Sequence, residues 1–341
     1  DVVALIDDGT VTLASNVAVT VTGTAAATDL TAIAAATSGT ITASGVTNIT
    51  GSAAEIIAAH DNGELTSLDS DFTVTISGTA SAANANTIMG YTSGIVTATV
   101  TATGAVADLN TALSNAASND ALTLVLNATS ASASDLNSLN GKTSVNIDAA
   151  TITAITSSTA DDVNTAVTNK TAIGLDSDFN VTLSDTTLSA AEVKTINAGT
   201  SGTIDMSSAT TISSSSAADV LEIVQNTGAA FTTAANYAVT LSGTTSAANA
   251  NTIMGDTSGI VTATVTGTGV SIADLNTALS NGSANDAIYI DGFNGTTASA
   301  ADLNTLNGKT SRNIDITSLT SITGSASEVF DMFLAGGLVY T

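Results

Sequence analysis

The chain has 341 residues, with 5 Lys and Arg against 30 Asp and Glu for a formal charge of −25, one His, and no Cys, Pro or Trp. Clustered cations that grip phosphate backbones are missing, and anionic lipid surfaces repel such a chain, so nucleic acid and charged membranes are excluded as partners. Hydrophobic residues reach 43% but aromatics only 3%, so any core is thin and aliphatic; no apolar run nears the ~20 residues of a transmembrane helix.

The chain opens at Asp1 without an initiator Met or a signal-like leader and is expected to be a segment or processed product of something longer. Its first apolar stretch, Val2-Val-Ala-Leu-Ile6, lacks the polarity of a capping unit. A cassette then recurs: Ser or Thr, two residues, Asp, Glu or Asn, and an apolar residue. Its fourth position falls at Asp29, Glu55, Asn84, Asp108, Asp135, Asp162, Glu192, Asp219, Asn249, Asp274, Asp302 and Glu328, at spacings of 24 to 30 residues. The mean of about 27 is a solenoid-like period. Longer echoes agree with it: Ser81–Gly90 returns as Ser246–Gly255, and Leu68–Phe72 as Leu175–Phe179.

Ten of the twelve copies carry a hydroxyl three positions before the acid or amide, at Ser52, Ser81, Ser132, Thr159, Ser189, Ser216, Ser246, Ser271, Ser299 and Ser325. This is the capping-box arrangement, so each cassette is expected to start a helix of two to three turns. Apolar pairs such as Leu136 with Leu139 and Leu303 with Leu306 give that helix a buried face. Gly39, Gly94, Gly141, Gly202, Gly259 and Gly308 read as helix stops. Between helices the period switches to two, predicting strands at Thr40–Thr42, Thr73–Ile76, Thr97–Thr101, Val145–Ile147, Thr151–Ile155, Val181–Leu183 and Val239–Leu241. The expected fold class is α/β: a parallel solenoid of about twelve ~27-residue coils, each with one short helix and one or two short strands, running as a single continuous domain over 1–341.

Chemistry is sparse. General acid–base and nucleophilic catalysis draw on His, Cys or a tuned Lys, and the lone His60 reads as a solvated loop residue. Helix capping accounts for the cassette acids, so no catalytic residue and no enzyme activity are expected. Outside the caps lie Asp7-Asp8-Gly9, Asp61 with Glu64, Asp185, and two Asp-x-Asp pairs. Those pairs, Asp69 with Asp71 and Asp176 with Asp178, offer hard oxygen ligands and are the candidate Ca²⁺ sites; turn hydrogen bonding to their own backbone is the competing role. No other cofactor is expected. An ice-binding face of Thr-x-Thr rows is set aside at this level, because Thr262–Thr268 is not matched in each coil and coil lengths vary.

The Ser299–Thr310 cassette, Ser-Ala-Ala-Asp-Leu-Asn-Thr-Leu-Asn-Gly-Lys-Thr, interleaved with Thr-rich strands, resembles the giant repetitive extracellular and cell-surface proteins of marine cyanobacteria and other bacteria. The resemblance implies an extracellular structural, adhesive or surface-layer role and brings no catalytic residues. The calcium nonapeptides of the related repeats-in-toxin proteins are absent. The expected function is a fibre, sheath or surface appendage, with an adhesin stalk or phage fibre shaft as the alternative and a polysaccharide-cleaving solenoid behind it. Neither Val2–Ile6 nor Val329–Leu334 looks like a cap, so end-to-end self-association or continuation in a longer chain is expected.

Overall fold

The computed structural model describes residue 4 and residues 14–63, 67–225 and 230–340. Val2–Ile6 apart from Ala4, Asp7-Asp8-Gly9 and Glu64 lie outside them. The structure is mixed α/β, with thirteen helices among the described residues and parallel pairing between all the named strands. Two compact units result, Asp1–Ile155 with Thr168–Asp176, and Thr156–Val167 with Ser177–Thr341.

In the first unit, strands Val19–Ala26, Ile41–Gly51, Thr73–Ser81, Val96–Ala102 and Ala121–Leu126 form one parallel sheet in chain order. Each strand leads toward a cassette helix: Ala27–Ala36, Ala53–Asp61, Ala82–Met89, Val106–Ala112 and Ala133–Asn140. The second unit repeats the plan. Strands Thr187–Leu188, Thr211–Ser215, Ala238–Thr245, Val261–Thr266 and Ala287–Asp291 make its largest sheet, and helices including Ala217–Val224, Ala247–Asp256, Ile272–Ala278, Ala300–Asn307 and Ala326–Leu334 follow. Within each unit consecutive helices pack side by side, from Ala27–Ala36 to Ala133–Asn140 in the first and from Ala190–Gly199 to Ala326–Leu334 in the second.

All ten hydroxyl caps form, each accepting from the amide three residues on, at 3.0 to 3.3 Å. Only the Glu copies close the reciprocal half of the box, with Glu55, Glu192 and Glu328 accepting from the amides of Ser52, Ser189 and Ser325. Asp is one methylene shorter and takes the cap hydroxyl instead, as in Ser132 to Asp135 at 2.6 Å and Ser299 to Asp302 at 2.6 Å. The backbone bond holds the Glu55 and Glu328 carboxyls below the usual range.

The residue after each cassette acid is buried from Leu30 through Leu136, Val163, Val193 and Val220 to Leu303; Val329 alone is only partly covered. Strand interiors alternate as expected, with Val96, Ala98 and Val100 buried and Thr97, Thr99 and Thr101 exposed. Variable repeat length is absorbed in bulges. Thr73–Ser81 has two more residues than its partner, and the register slips between Thr75 and Thr79 at Gly78, whose φ of +71° suits glycine. Gly243, φ +69°, does the same between Thr240 and Thr244.

The strand expected at Thr151–Ile155 starts only at Ala154 and runs on to Ser158, and two further expectations fail. Val145–Ile147 is not a strand, since the next repeat supplies the short helix Lys170–Ile173 there, and the Ile147 amide bonds the Ala172 carbonyl instead of a strand neighbour. His60 is not in a loop: the helix runs to Asp61, and the His60 ring stacks on Tyr91 of the following repeat, centroids 3.5 Å apart and planes 6° from parallel.

Candidate functional site

The recurring polar geometry of this chain lies between repeats. After every second cassette a Thr-Ser pair turns back onto the preceding repeat: Thr37, Thr92, Thr143, Thr200, Thr257 and Thr310, spaced 51 to 57 residues apart. Each Thr hydroxyl donates to a carbonyl 20 to 22 residues earlier, from Val17 to Ile288, at 2.5 to 2.9 Å. The Ser amide donates to a second carbonyl two residues before that one, as from Ser93 to Ser70 at 2.8 Å and from Ser201 to Ser177 at 2.8 Å. Close approach demands glycine next in four copies. A Cβ on Gly39, Gly94, Gly202 or Gly259 would lie 2.2 to 2.3 Å from a backbone oxygen of the earlier repeat. These four glycines are therefore clasp residues, not left-handed helix stops. Gly141 and Gly308 do sit at helix C-caps.

In the two remaining copies the glycine is replaced by Val145 and Arg312, and the clasped carbonyl belongs to a buried acid, Asp120 or Asp286. The Asp120 carboxylate accepts from the amides of Val96 at 2.8 Å and Ala117 at 2.9 Å. Asp286 accepts likewise from Val261 and Ser283, each at 2.9 Å. A carboxylate buried with amide donors on both oxygens ties two repeats together.

A second set of links starts two residues after the cassette acid in several copies. The side-chain amides of Asn110, Asn276 and Asn304 donate to the carbonyls of Asp135, Asp302 and Glu328 in the next helix, at 2.8, 2.8 and 3.0 Å. At the same position Lys194 bonds Asp219 at 2.9 Å and lies 3.5 Å from Glu222. That hydrogen bond lowers the Asp219 carboxyl and raises the Lys194 ammonium. Lys142 and Lys309 donate to the carbonyls of Leu113 and Leu279, just past the preceding helices, at 2.9 and 2.8 Å. Arg312 lies 4.8 Å over the Tyr289 ring. Four of the five cations are thus used between repeats.

The candidate calcium ligands Asp69, Asp71, Asp176 and Asp178 are all exposed. Both flanked serines, Ser70 and Ser177, serve the clasp through their carbonyls. Among the described residues no three His, Cys, Asp or Glu side chains gather to hold a metal. Asp61 lies 3.5 Å from His60 at the surface, and Asp185 accepts from the Ala160 amide at 2.8 Å.

Sequence reasoning missed the clasp, the asparagine links and the buried Asp120 and Asp286. The signal for the first was present: Thr-Ser recurs after alternate cassettes, a period of about 55 instead of 27. Among the described residues no helix is long and apolar enough to cross a membrane. No family model, no curated protein and no solved structure matches the chain.

Proposed function

We propose that this chain is a stretch of parallel α/β solenoid with a structural role outside the cell, as part of a fibre, sheath or surface-layer-like appendage. The observation that carries this reading is the recurrence of purely structural polar contacts between successive repeats, at positions that an enzyme or receptor would be expected to leave to a cleft. The extracellular placement rests on the resemblance of Ser299–Thr310 to exported repeat proteins. High negative charge keeps such a chain soluble and apart from other anionic surfaces.

End-to-end association or continuation in a longer chain is part of the proposal, with a further cassette helix, from a second copy or from following sequence, as the occupant of the C-terminal face. Phe330 stands at the position where Asn110, Asn276, Asn304 and Lys194 reach the following repeat, yet it is 62% exposed. Phe333 and Leu334 beside it are 52% and 68% exposed, so the face that joins helix to helix elsewhere is apolar and uncovered here. Its continuity with the internal helix–helix packing favours another cassette helix as the partner. Sedimentation velocity across a concentration series is the test. Association that disappears in a Phe330→Asp, Leu334→Asp variant supports the reading, and a monomer at all concentrations refutes it. Electron microscopy of the associated material separates filaments from the monodisperse rods of an adhesin stalk or phage fibre shaft.

A further inference from the structure

Where the strand Ala238–Thr245 meets the helix Ala247–Asp256, the second unit has a cleft of about 580 Å³. Its floor is apolar, with Ala217, Ala247, Val270 and Leu275 drawn from three successive repeats, and no charged side chain lines it. In a chain with 30 acids this is a neutral opening, of the size that small-molecule sites have, about 300–1,000 Å³. It lies outside the carboxyl ends of parallel strands, where open α/β sheets take their ligands.

One side chain of this cleft is not explained by the fold. Nine polar or charged residues are buried among the described residues, and eight of them hydrogen-bond through their side chains: Asp120, Asp286, Ser158, Ser215 and four clasp threonines. Thr245 is the ninth; it is 8% exposed and its hydroxyl makes no hydrogen bond. Ser158 and Ser215 stand at the same place, directly before a helix cap, and they bond the carbonyls of Thr156 and Ser213 at 3.0 Å. Past the bulge at Gly243 the register resumes with Thr245 beside Val265, on the buried side. The Thr245 oxygen is not fully enclosed, so the opening left to it is the cleft that the residue lines. A hydroxyl buried without a partner destabilises, and the first unit avoids it: Ser77-Gly-Thr-Ala-Ser81 has Ala80 where Ser242-Gly-Thr-Thr-Ser246 has Thr245. The matching cleft there is about 280 Å³ and is lined by the charged Asp108.

We propose that the cleft binds a small uncharged molecule with an apolar body and one hydroxyl or carbonyl, which the Thr245 hydroxyl bonds. Each part of that ligand answers an observation. The apolar floor covers the body, and a threonine hydroxyl, both donor and acceptor, meets either polar group. The chain's charge of −25 repels anions, and no carboxylate in the lining attracts a cation. A sugar is the less suited ligand, because a ring with a hydroxyl on nearly every carbon would press several of them against Ala217, Ala247, Val270 and Leu275. The smaller cleft of the first unit, with Ala80 in place of Thr245 and a carboxylate in its lining, is not expected to bind. The proposal needs only the second unit and is independent of end-to-end assembly.

Saturation-transfer NMR on the full chain is the test, with cyclohexanol as the probe and cyclohexanecarboxylate and methyl β-glucoside as six-membered-ring controls. Cyclohexanol is expected to bind and both controls to stay at baseline. Thr245→Val, nearly isosteric, is expected to weaken cyclohexanol by about three- to tenfold and to leave Tm at or above that of wild type, because no bond within the protein is lost. Ala218→Phe, which places a ring in the cleft from an exposed lining position, is expected to abolish the signal. No transfer to cyclohexanol up to its solubility overturns the proposal, and so does undiminished binding in either variant. A lower Tm in Thr245→Val also overturns it and gives the hydroxyl a part in the fold. Binding of the glucoside in preference to cyclohexanol overturns it as well and reassigns the cleft to a sugar.

Discussion

Replacing Gly259 by Ala tests the clasp directly. The added Cβ would lie 2.3 Å from the Tyr237 carbonyl oxygen and 2.5 Å from that of Asn236, so backbone blocks it on the side where the earlier repeat approaches. Gly259 does not have a positive φ, which removes dihedral strain as an explanation of any effect. Overpacking of this kind costs about 1–3 kcal/mol. Forcing the repeats apart also loses the Thr257 bond to Tyr237 and the Ser258 amide bond to Ala235, about 1 kcal/mol each, so the total expected is about 3–5 kcal/mol. Thr257→Val, nearly isosteric, removes the hydroxyl alone and is expected to cost about 1–2 kcal/mol. Repeat arrays open locally, so native-state hydrogen exchange is the assay. The amides of Val239 and Val261, bonded to Ile260 and Asp286, should lose protection in both variants, while Val96 in the other unit keeps its own. A loss below about 1 kcal/mol for Gly259→Ala would refute the steric argument.

Ser299→Ala is expected to cost about 1 kcal/mol in urea unfolding, because the Asp302 amide loses its acceptor. Neutral results at Ser132, Ser216 and Ser299 together would give the cassette hydroxyl another purpose. Tyr237 is buried and donates to Asp256 at 2.6 Å, and burial, then the carboxylate, pushes its ionisation far up. The folded state therefore holds a proton that the unfolded chain releases near pH 10. Its contribution is complete below about pH 10 and is lost as pH rises beyond, so the urea midpoint should fall between pH 9 and pH 11, about the upper tyrosine range, and fall less in Tyr237→Phe. Asp69 with Asp71 and Asp176 with Asp178 remain the proposed Ca²⁺ ligands. Two carboxylates at each loop predict millimolar affinity, so 1 mM Ca²⁺ should stabilise by about 0.4 kcal/mol per loop and raise the Tm of the unit holding it by about 1 °C over EDTA. A rise of many degrees would point to further ligands, and no rise leaves all four as turn residues.

Local chemistry was legible in the sequence and contact between repeats was not. A cap such as Ser132 with Asp135 places both partners within four residues, and ten of ten expected caps form. The alternation in Val96–Thr101 likewise declares its buried side in one strand. A clasp has no such signature, because its acceptor is a main-chain carbonyl and any residue can carry it: Ser70, Asp120 and Ala235 do so equally. The same holds for Asn304, whose target is the carbonyl of Glu328. Asp286 reads as one more surface acid until the Val261 amide, 25 residues earlier, is brought against it. His60 was misplaced because Asp61, Asn62 and Gly63 suggest a turn one residue too early.

The clasps also decide which repeat is the unit of assembly. The ~27-residue cassette sets one helix, but Thr37, Thr92, Thr143, Thr200, Thr257 and Thr310 follow the first, third, fifth, seventh, ninth and eleventh copies alone. Odd repeats thus carry the donor Thr-Ser, and the even repeat before each from Thr92 onward carries the acceptor carbonyls and the large buried residue beside them: Phe72, Leu122, Phe179, Tyr237 or Ile288. A polar lock and the bulkiest core side chains therefore coincide at one interface of every two. Fraying that begins at the alternate interfaces, which lack the clasp and are held by side-chain links such as Asp120 to Val96, Lys194 to Asp219 and Asn304 to Glu328, should release pairs of repeats together. The ~55-residue pair is then the cooperative element, and an insertion or deletion of one cassette should disrupt the stack where removal of two should not.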